Sequence, residues 1–278
     1  MKIRHFFIFL ILSLGLTGCR FQQSTMVDIA DDIDLVGEAA TPTVEIDRPE
    51  RNDIDLIEEP IMPGKKNQAP ALKNDAKDLV ILPDKLDHEM AFVSQAPYAV
   101  WDELHQEACE EASMIMVDKY FKGLNLTAHT MEQGILDLVK WQTQNDYRVD
   151  LTAQEAVDII NDYFGLTAQV SIDVTVERIK QELFSGKIII VPAAGRKLGN
   201  PYFQTPGPIY HMLVIKGYDD VAKEFITNDP GTKRGKDFRY QYQKLISAIH
   251  DWDHELASDG MTDEEISRGR KVMILVSK

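Results

Sequence analysis

The sequence predicts an α+β domain on three observations. Helical periodicity runs through four successive segments in the middle of the chain, five short apolar runs separated by turn residues follow, and 44% of the 278 residues are hydrophobic, enough for a sizeable core. Helices first and strands after are the order of a largely antiparallel sheet with its helices segregated from it. The formal net charge of −15 repels phosphate backbones, which sets nucleic acid aside as a partner. With only two cysteines, one of them at position 19, there is no disulfide framework.

Residues 1–19 read as an export signal: Lys2 and Arg4, then the apolar run FFIFLILSLGL, then small residues up to Cys19. The run is too short to span a bilayer comfortably. Its end, Leu16-Thr17-Gly18-Cys19, resembles the bacterial lipoprotein signal. That resemblance implies cleavage before Cys19, lipidation of Cys19, and a chain tethered to a membrane outside the cytoplasm, the outer membrane where the host has two.

Residues 20–88 read as a flexible acidic linker. From Arg20 to Gly64 there are 12 acidic residues against 3 basic, with Pro42, Pro49, Pro60 and Pro63 and a single aromatic, Phe21. Such a stretch buries too little apolar surface to offset chain entropy. LVILP at Leu79–Pro83 is a candidate strand stitching the linker to a domain over residues 89–278. In that domain helices are expected at Glu107–Phe121, Thr130–Gln142, Thr152–Phe164 and Thr175–Phe184, and Thr152 with Glu155 has capping-box spacing. Strands are expected in KIIIVPA from Lys187, YHMLVIKGYDD from Tyr210, EFITNDP from Glu224, FRYQYQ from Phe238 and KVMILVS from Lys271, with a helix near Tyr242–Trp252.

The chemistry concentrates on three residues. Cys109 stands where the helical pattern of HQEACEEASMIMVDKYF begins, and a helix N-terminus stabilises a thiolate and an oxyanion formed beside it. Glu107, Glu110 and Glu111 oppose this, since carboxylates that face the sulfur raise its pKa. His211 enters an apolar strand, where an unpaired ring is costly, and Asp229 ends the next strand. Antiparallel pairing of those strands brings the start of one beside the end of the other. Asn228 and Asp229 point to opposite faces, so one of them orients the imidazole.

The run FVSQAPYAVWDELHQEACEEASMIMVDKYF, then YHMLVIKGYDD, then ITNDPGT, resembles the bacterial papain-like cysteine peptidases related to bacteriocin-leader-processing enzymes, family thirty-nine of the cysteine series. The resemblance covers Phe92 to about Lys278. It implies a papain-like fold with Cys109 as nucleophile, His211 as general base, Asp229 as its orienting residue and Gln95 as an oxyanion-hole donor. Many members have Cys-Gly-Pro where this chain has Cys109-Glu110-Glu111. The implied activity is hydrolysis of peptide bonds in a peptide or protein substrate, with no cofactor and no metal; the lipid at Cys19 is the implied membrane contact. Two other uses share the scaffold: a binding module for peptide or cell-wall fragments without turnover, and a cell-wall amidase or acyl transferase using the same cysteine. Nothing in the sequence specifies an oligomeric state.

His105 and Gln106 are rival polar partners of Cys109. Residues 193–210, rich in Gly and Pro, read as a loop bordering the cleft. His250 and His254 have the spacing of two ligands on one helical face, but the Glu after the first His that a zinc metallopeptidase uses is missing. They read as surface histidines at a helix end beside Trp252. The acidic run Asp259–Glu265 reads as a loop and helix start.

Overall fold

The computed structural model describes residues 81–257 and 261–278; the export signal, Cys19, Asp259 and most of the linker lie outside them. One mixed-length sheet carries seven strands: β1 (Lys85–Asp87), β2 (Thr167–Ser171), β3 (Ile188–Ala194), β4 (Tyr210–Asp219), β5 (Glu224–Asn228), β6 (Phe238–Gln241) and β7 (Met273–Ser277). The order is β2-β7-β3-β4-β5-β6, with every neighbouring pair antiparallel. The helices are α1 (Glu103–Glu107), α2 (Cys109–Lys122), α3 (Ala128–Gln144), α4 (Ala153–Asp162), α5 (Val176–Phe184), α6 (Gly195–Leu198), α7 (Tyr242–Ala248) and α8 (Asp263–Ile266). The class is α+β, as expected.

The sheet is covered on both faces, which the order of elements does not reveal. Ile188, Ile190, Met212, Val214, Ile274 and Val276 join a core with residues of α2, α3 and α4. Their sequence neighbours Ile189, Val191, Leu213, Ile215, Met273 and Leu275 join a second core with α5 and α7. A central strand between two apolar layers needs an uninterrupted apolar run rather than alternation, and IIIV in β3 and MLVI in β4 are such runs. Each such side chain, fully buried, contributes roughly 1.5–3 kcal/mol.

Several boundaries differ from those expected. The segment from Glu107 to Phe121 is not one helix: α1 and α2 are separated at Ala108 (φ −88°, ψ 27°). The helix expected to reach Trp252 stops at Ala248, where Ile249 turns extended and bridges to Ala193 of β3. The capping box of α4 forms as its spacing requires, with Glu155 accepting from the Thr152 backbone N–H at 2.8 Å. Ile81–Pro83 is not a strand, and the stitching strand is β1, a few residues on.

β1 pairs with Gly217–Asp219 of β4, on the edge that β3 leaves free beyond Ile215. A Cβ at Gly217 would lie 2.4 Å from the Leu86 carbonyl oxygen, so the close approach requires glycine. Buried Lys216 anchors the strand from below through ion pairs to Asp87 and, at 2.8 Å, to Asp237. Helix α2 lies against the other end of β4, where the Ser113 hydroxyl donates to the Met212 carbonyl at 3.1 Å. Among the described residues no helix is long and apolar enough to cross a membrane.

Candidate active site

The break at Ala108 makes Cys109 the first residue of α2. It also strands the carbonyls of His105 and Gln106 at the end of α1, and a helix end needs outside partners for such groups. Gln95 supplies them, its Nε2 donating to both at 2.9 and 3.0 Å. The backbone N–H of Gln95 donates to Pro230 O at 3.0 Å. One residue thus ties the end of α1, just ahead of Cys109, to the turn after β5. An amide nitrogen has two hydrogens, and both acceptors are carbonyl oxygens, so the amide cannot be turned round without facing oxygen to oxygen. The Oε1 atom is buried without a partner.

The β4–β5 pairing places the ends as the antiparallel argument requires. His211 at the entry to β4 and Asp229 just past β5 meet at 2.8 Å, Nε2 to Oδ1. Asp229 is fully buried and takes three further hydrogen bonds: from Gly231 N to Oδ1 at 3.0 Å, and from Asn200 Nδ2 (3.0 Å) and Tyr240 OH (2.6 Å) to Oδ2. Burial alone would raise this carboxyl, but the His211 imidazole and the hydrogen bonds from His211, Tyr240 and Asn200 outweigh it and hold the group below the ordinary carboxylate range. The proton between the pair therefore belongs on Nε2, leaving the Nδ1 lone pair without a hydrogen bond among the described residues. Asn228 serves elsewhere, donating to Ala91 O and accepting from Asp237 N. The turn is tight, for a Cβ at Gly235 would lie 1.7 Å from Asp229 O.

The thiol faces two groups. It donates to Glu110 Oε2 at 2.9 Å and accepts from the Met212 N–H at 3.3 Å, one residue beyond His211. Among the described residues it makes no hydrogen bond to His211. Burial pushes the Cys109 thiol well up, the Glu110 charge and hydrogen bond push it further, and the Met212 N–H opposes them. Glu110 therefore does not point away, whereas Glu111 turns to Gln142 of α3. Glu110 is 1% exposed and accepts from Leu151 N at 3.3 Å; Glu111 accepts from Gln142 Nε2 at 2.7 Å. Burial raises the Glu110 carboxyl well above its ordinary value, reinforced by the charges of Glu111 and Asp150.

Glu111 makes this testable. Burial raises its pKa from 4.5 to about 7, against the Gln142 hydrogen bond. Between those values the folded chain holds a proton the unfolded chain has released. The stabilisation is full below pH 4.5, is lost as pH rises through 7, and amounts to about 3 kcal/mol. Glu111→Gln is therefore expected to match the parent's stability near pH 4.5 and to exceed it by up to that amount at pH 8, measured by denaturant unfolding. His250, lowered by burial, acts with the opposite sign in both chains and cancels in the comparison. Equal stability at both pH values would contradict a buried, protonated Glu111.

Cys109, His211 and Gln95 line one cleft of about 580 Å³, together with Trp101, Gln106 and the segment Phe203–Tyr210. The Phe203 ring packs edge-on against His211 at 5.2 Å, so part of residues 193–210 does border the cleft, after β3 and α6 have taken its start. Of the rival partners, Gln106 lines the cleft, whereas His105 is held by Asp102 (2.6 Å) and Glu132 (3.0 Å). His250 and His254 do not converge: His250 Nδ1 meets Gly269 O at 3.0 Å and His254 Nε2 meets Glu155 at 2.8 Å. Asn200 and Tyr240 escaped sequence reasoning altogether. Tyr240 lies in an alternating strand where every aromatic looks like packing, and Asn200 in a loop where asparagine reads as a turn.

The sequence model described as "Peptidase_C39 like family" matches residues 89–254. Among solved structures, a provisionally assigned C39-like peptidase from Bacillus anthracis aligns with a TM-score of 0.42 and 12% identity, over 69% of this chain and 98% of that one. No curated protein matches.

Proposed function

The chain belongs to the Peptidase_C39-like family, and from that premise we propose that it is a cysteine peptidase in which Cys109 attacks the peptide carbonyl, His211 moves the proton and Asp229 orients His211. The observation that carries this is the His211–Asp229 bond at 2.8 Å, with the Nδ1 side of the ring unclaimed in a cleft that the thiol also lines. Catalysis starts with rotation of the Cys109 side chain away from Glu110 towards Nδ1. The imidazole takes the thiol proton as the sulfur bonds to the carbonyl carbon, and then gives it to the leaving amine. Water, deprotonated by the same nitrogen, cleaves the thioester and restores the thiol.

The oxyanion falls to the backbone N–H of Cys109 at the start of α2, which has no other acceptor among the described residues. Gln95 joins it by releasing one carbonyl of α1; until then it positions the helix. We place the domain outside the cytoplasm, lipid-anchored through Cys19, with the chain between Cys19 and β1 as the reach between anchor and domain, since Lys85–Asp87 of the expected linker belongs to the sheet, and with a peptide or protein as substrate.

The engagement of the thiol by Glu110 favours a second reading, a binding module without turnover. Alkylation separates the two. In the full chain with Cys19→Ser, Cys109 is the sole thiol, and at pH 7 iodoacetamide is expected to react about tenfold or more faster than in the same chain carrying His211→Ala. Equal rates would remove the Cys–His pair and leave the binding module standing.

A further inference from the structure

The cleft has a charge pattern that the proposed chemistry does not use. Its charged lining consists of Glu107, Asp150 and His211; no lysine or arginine lines it among the described residues. Neither Glu107 nor Asp150 makes an ion pair or side-chain hydrogen bond there. Arg148, two residues from Asp150, lines a neighbouring hollow that Glu107 also borders, and makes no ion pair with Glu107 or Asp150 among the described residues. The imidazole of His254 acts on Asp150 only weakly and is itself held by Glu155 at 2.8 Å.

A half-buried carboxylate with no partner is costly. Desolvation, then the Glu107 charge, raises the Asp150 carboxyl to about 6, so the site as it stands is short of positive charge. Gln95, lining the same cleft and 3% exposed, adds a second unmet acceptor, its buried Oε1. Trp101 and Trp252 in the wall offer flat apolar faces to an alkyl stem. The cleft thus presents one half-buried carboxylate, Asp150, and one exposed carboxylate, Glu107, with no lysine or arginine beside them among the lining residues.

Resting on the peptidase assignment, we infer that the substrate is a peptide carrying a lysine or arginine within about two residues of the bond cleaved, its cationic head received between Glu107 and Asp150.

The test uses an internally quenched peptide library with each position near the cleaved bond set to lysine, arginine, norleucine or glutamate. With the parent chain, kcat/KM for lysine over norleucine is expected to be about fivefold or more. The preference should shrink below about twofold in Glu107→Gln/Asp150→Asn and on raising salt from 0.05 to 0.5 M. Both substitutions keep side-chain shape, and Asp150 has no hydrogen bond to lose; Asp150→Asn alone gives a second measure should the double variant fold poorly. The same library is titrated onto the Cys109→Ala chain to read binding without turnover. Cleavage with no cationic preference, or a preference that survives the double variant, overturns the inference and leaves the peptidase assignment intact. Charge-selective binding without cleavage by the parent removes the peptidase assignment and with it the position relative to a cleaved bond, leaving only recognition of a cationic side chain by Glu107 and Asp150. No binding and no cleavage removes both.

Discussion

Cys109→Ser is expected to lower peptide-bond hydrolysis by at least about 10⁴-fold while leaving the melting temperature within a degree or two. The serine hydroxyl is close in size to the thiol and repeats its two contacts, donating to Glu110 and accepting from Met212. What it cannot repeat is the chemistry. An unactivated alcohol is far less acidic than a thiol, and removing a nucleophile from a unit that works together costs nearly all of the unit's contribution. Initial rates on a fluorogenic peptide mixture, beside a melting curve, give both halves of the answer. Residual activity above about one hundredth of the parent's would sink the assignment of Cys109 as nucleophile.

The second large effect is at Asp229. Its two oxygens accept four hydrogen bonds, and an asparagine offers only one oxygen. If the amide nitrogen of Asp229→Asn sits in the Oδ1 position, it opposes the Gly231 N–H and forces His211 to accept at Nε2, putting the proton on Nδ1 where the thiol needs a lone pair. If it sits in the Oδ2 position, the Tyr240 hydroxyl can rotate to accept but the Asn200 amide loses one of its two acceptors, keeping only Tyr240 OH. The expected result is a kcat reduced by about 10²–10⁴-fold and a stability loss of about 1–3 kcal/mol for the buried donor left unmet. A kcat within a factor of about three of the parent's would show that Asp229 only braces the turn.

The helical and strand texture was legible in the sequence because it depends on local rules. Thr152 and Glu155 cap a helix wherever they fall at that spacing, and Cys109 opens α2 because the apolar period begins there. The meeting of His211 with Asp229 was legible too, since antiparallel pairing of consecutive strands fixes which ends adjoin. What stayed hidden depends on contacts between distant segments. Whether Glu110 faces solvent or sulfur is decided by Leu151, 41 residues on. That Gln95 spends its amide on the ends of α1 follows from a break at Ala108 that no composition marks. The second apolar layer was written in the unbroken runs of β3 and β4, but only a sheet already assembled shows which side needs covering.

β1 has a mechanical consequence. A pull on the chain ahead of Ile81 meets first the hydrogen bonds from Tyr218 OH to Pro83 O and from Asp220 N to Asp84 O, then a three-residue strand held by its pairing to β4 and by the Lys216–Asp87 ion pair. Once that joint peels, the pull passes to His88, held by Lys216 and Leu183, to the buried Met90 and to Ala91, held by Asn228, and only then to Gln95, whose backbone grips Pro230 and whose amide grips α1. A stretch of the leading chain would thus be spent on β1 and on the anchors at His88, Met90 and Ala91 before it reached the link between α1 and the turn after β5, making β1 the first fuse ahead of the cleft.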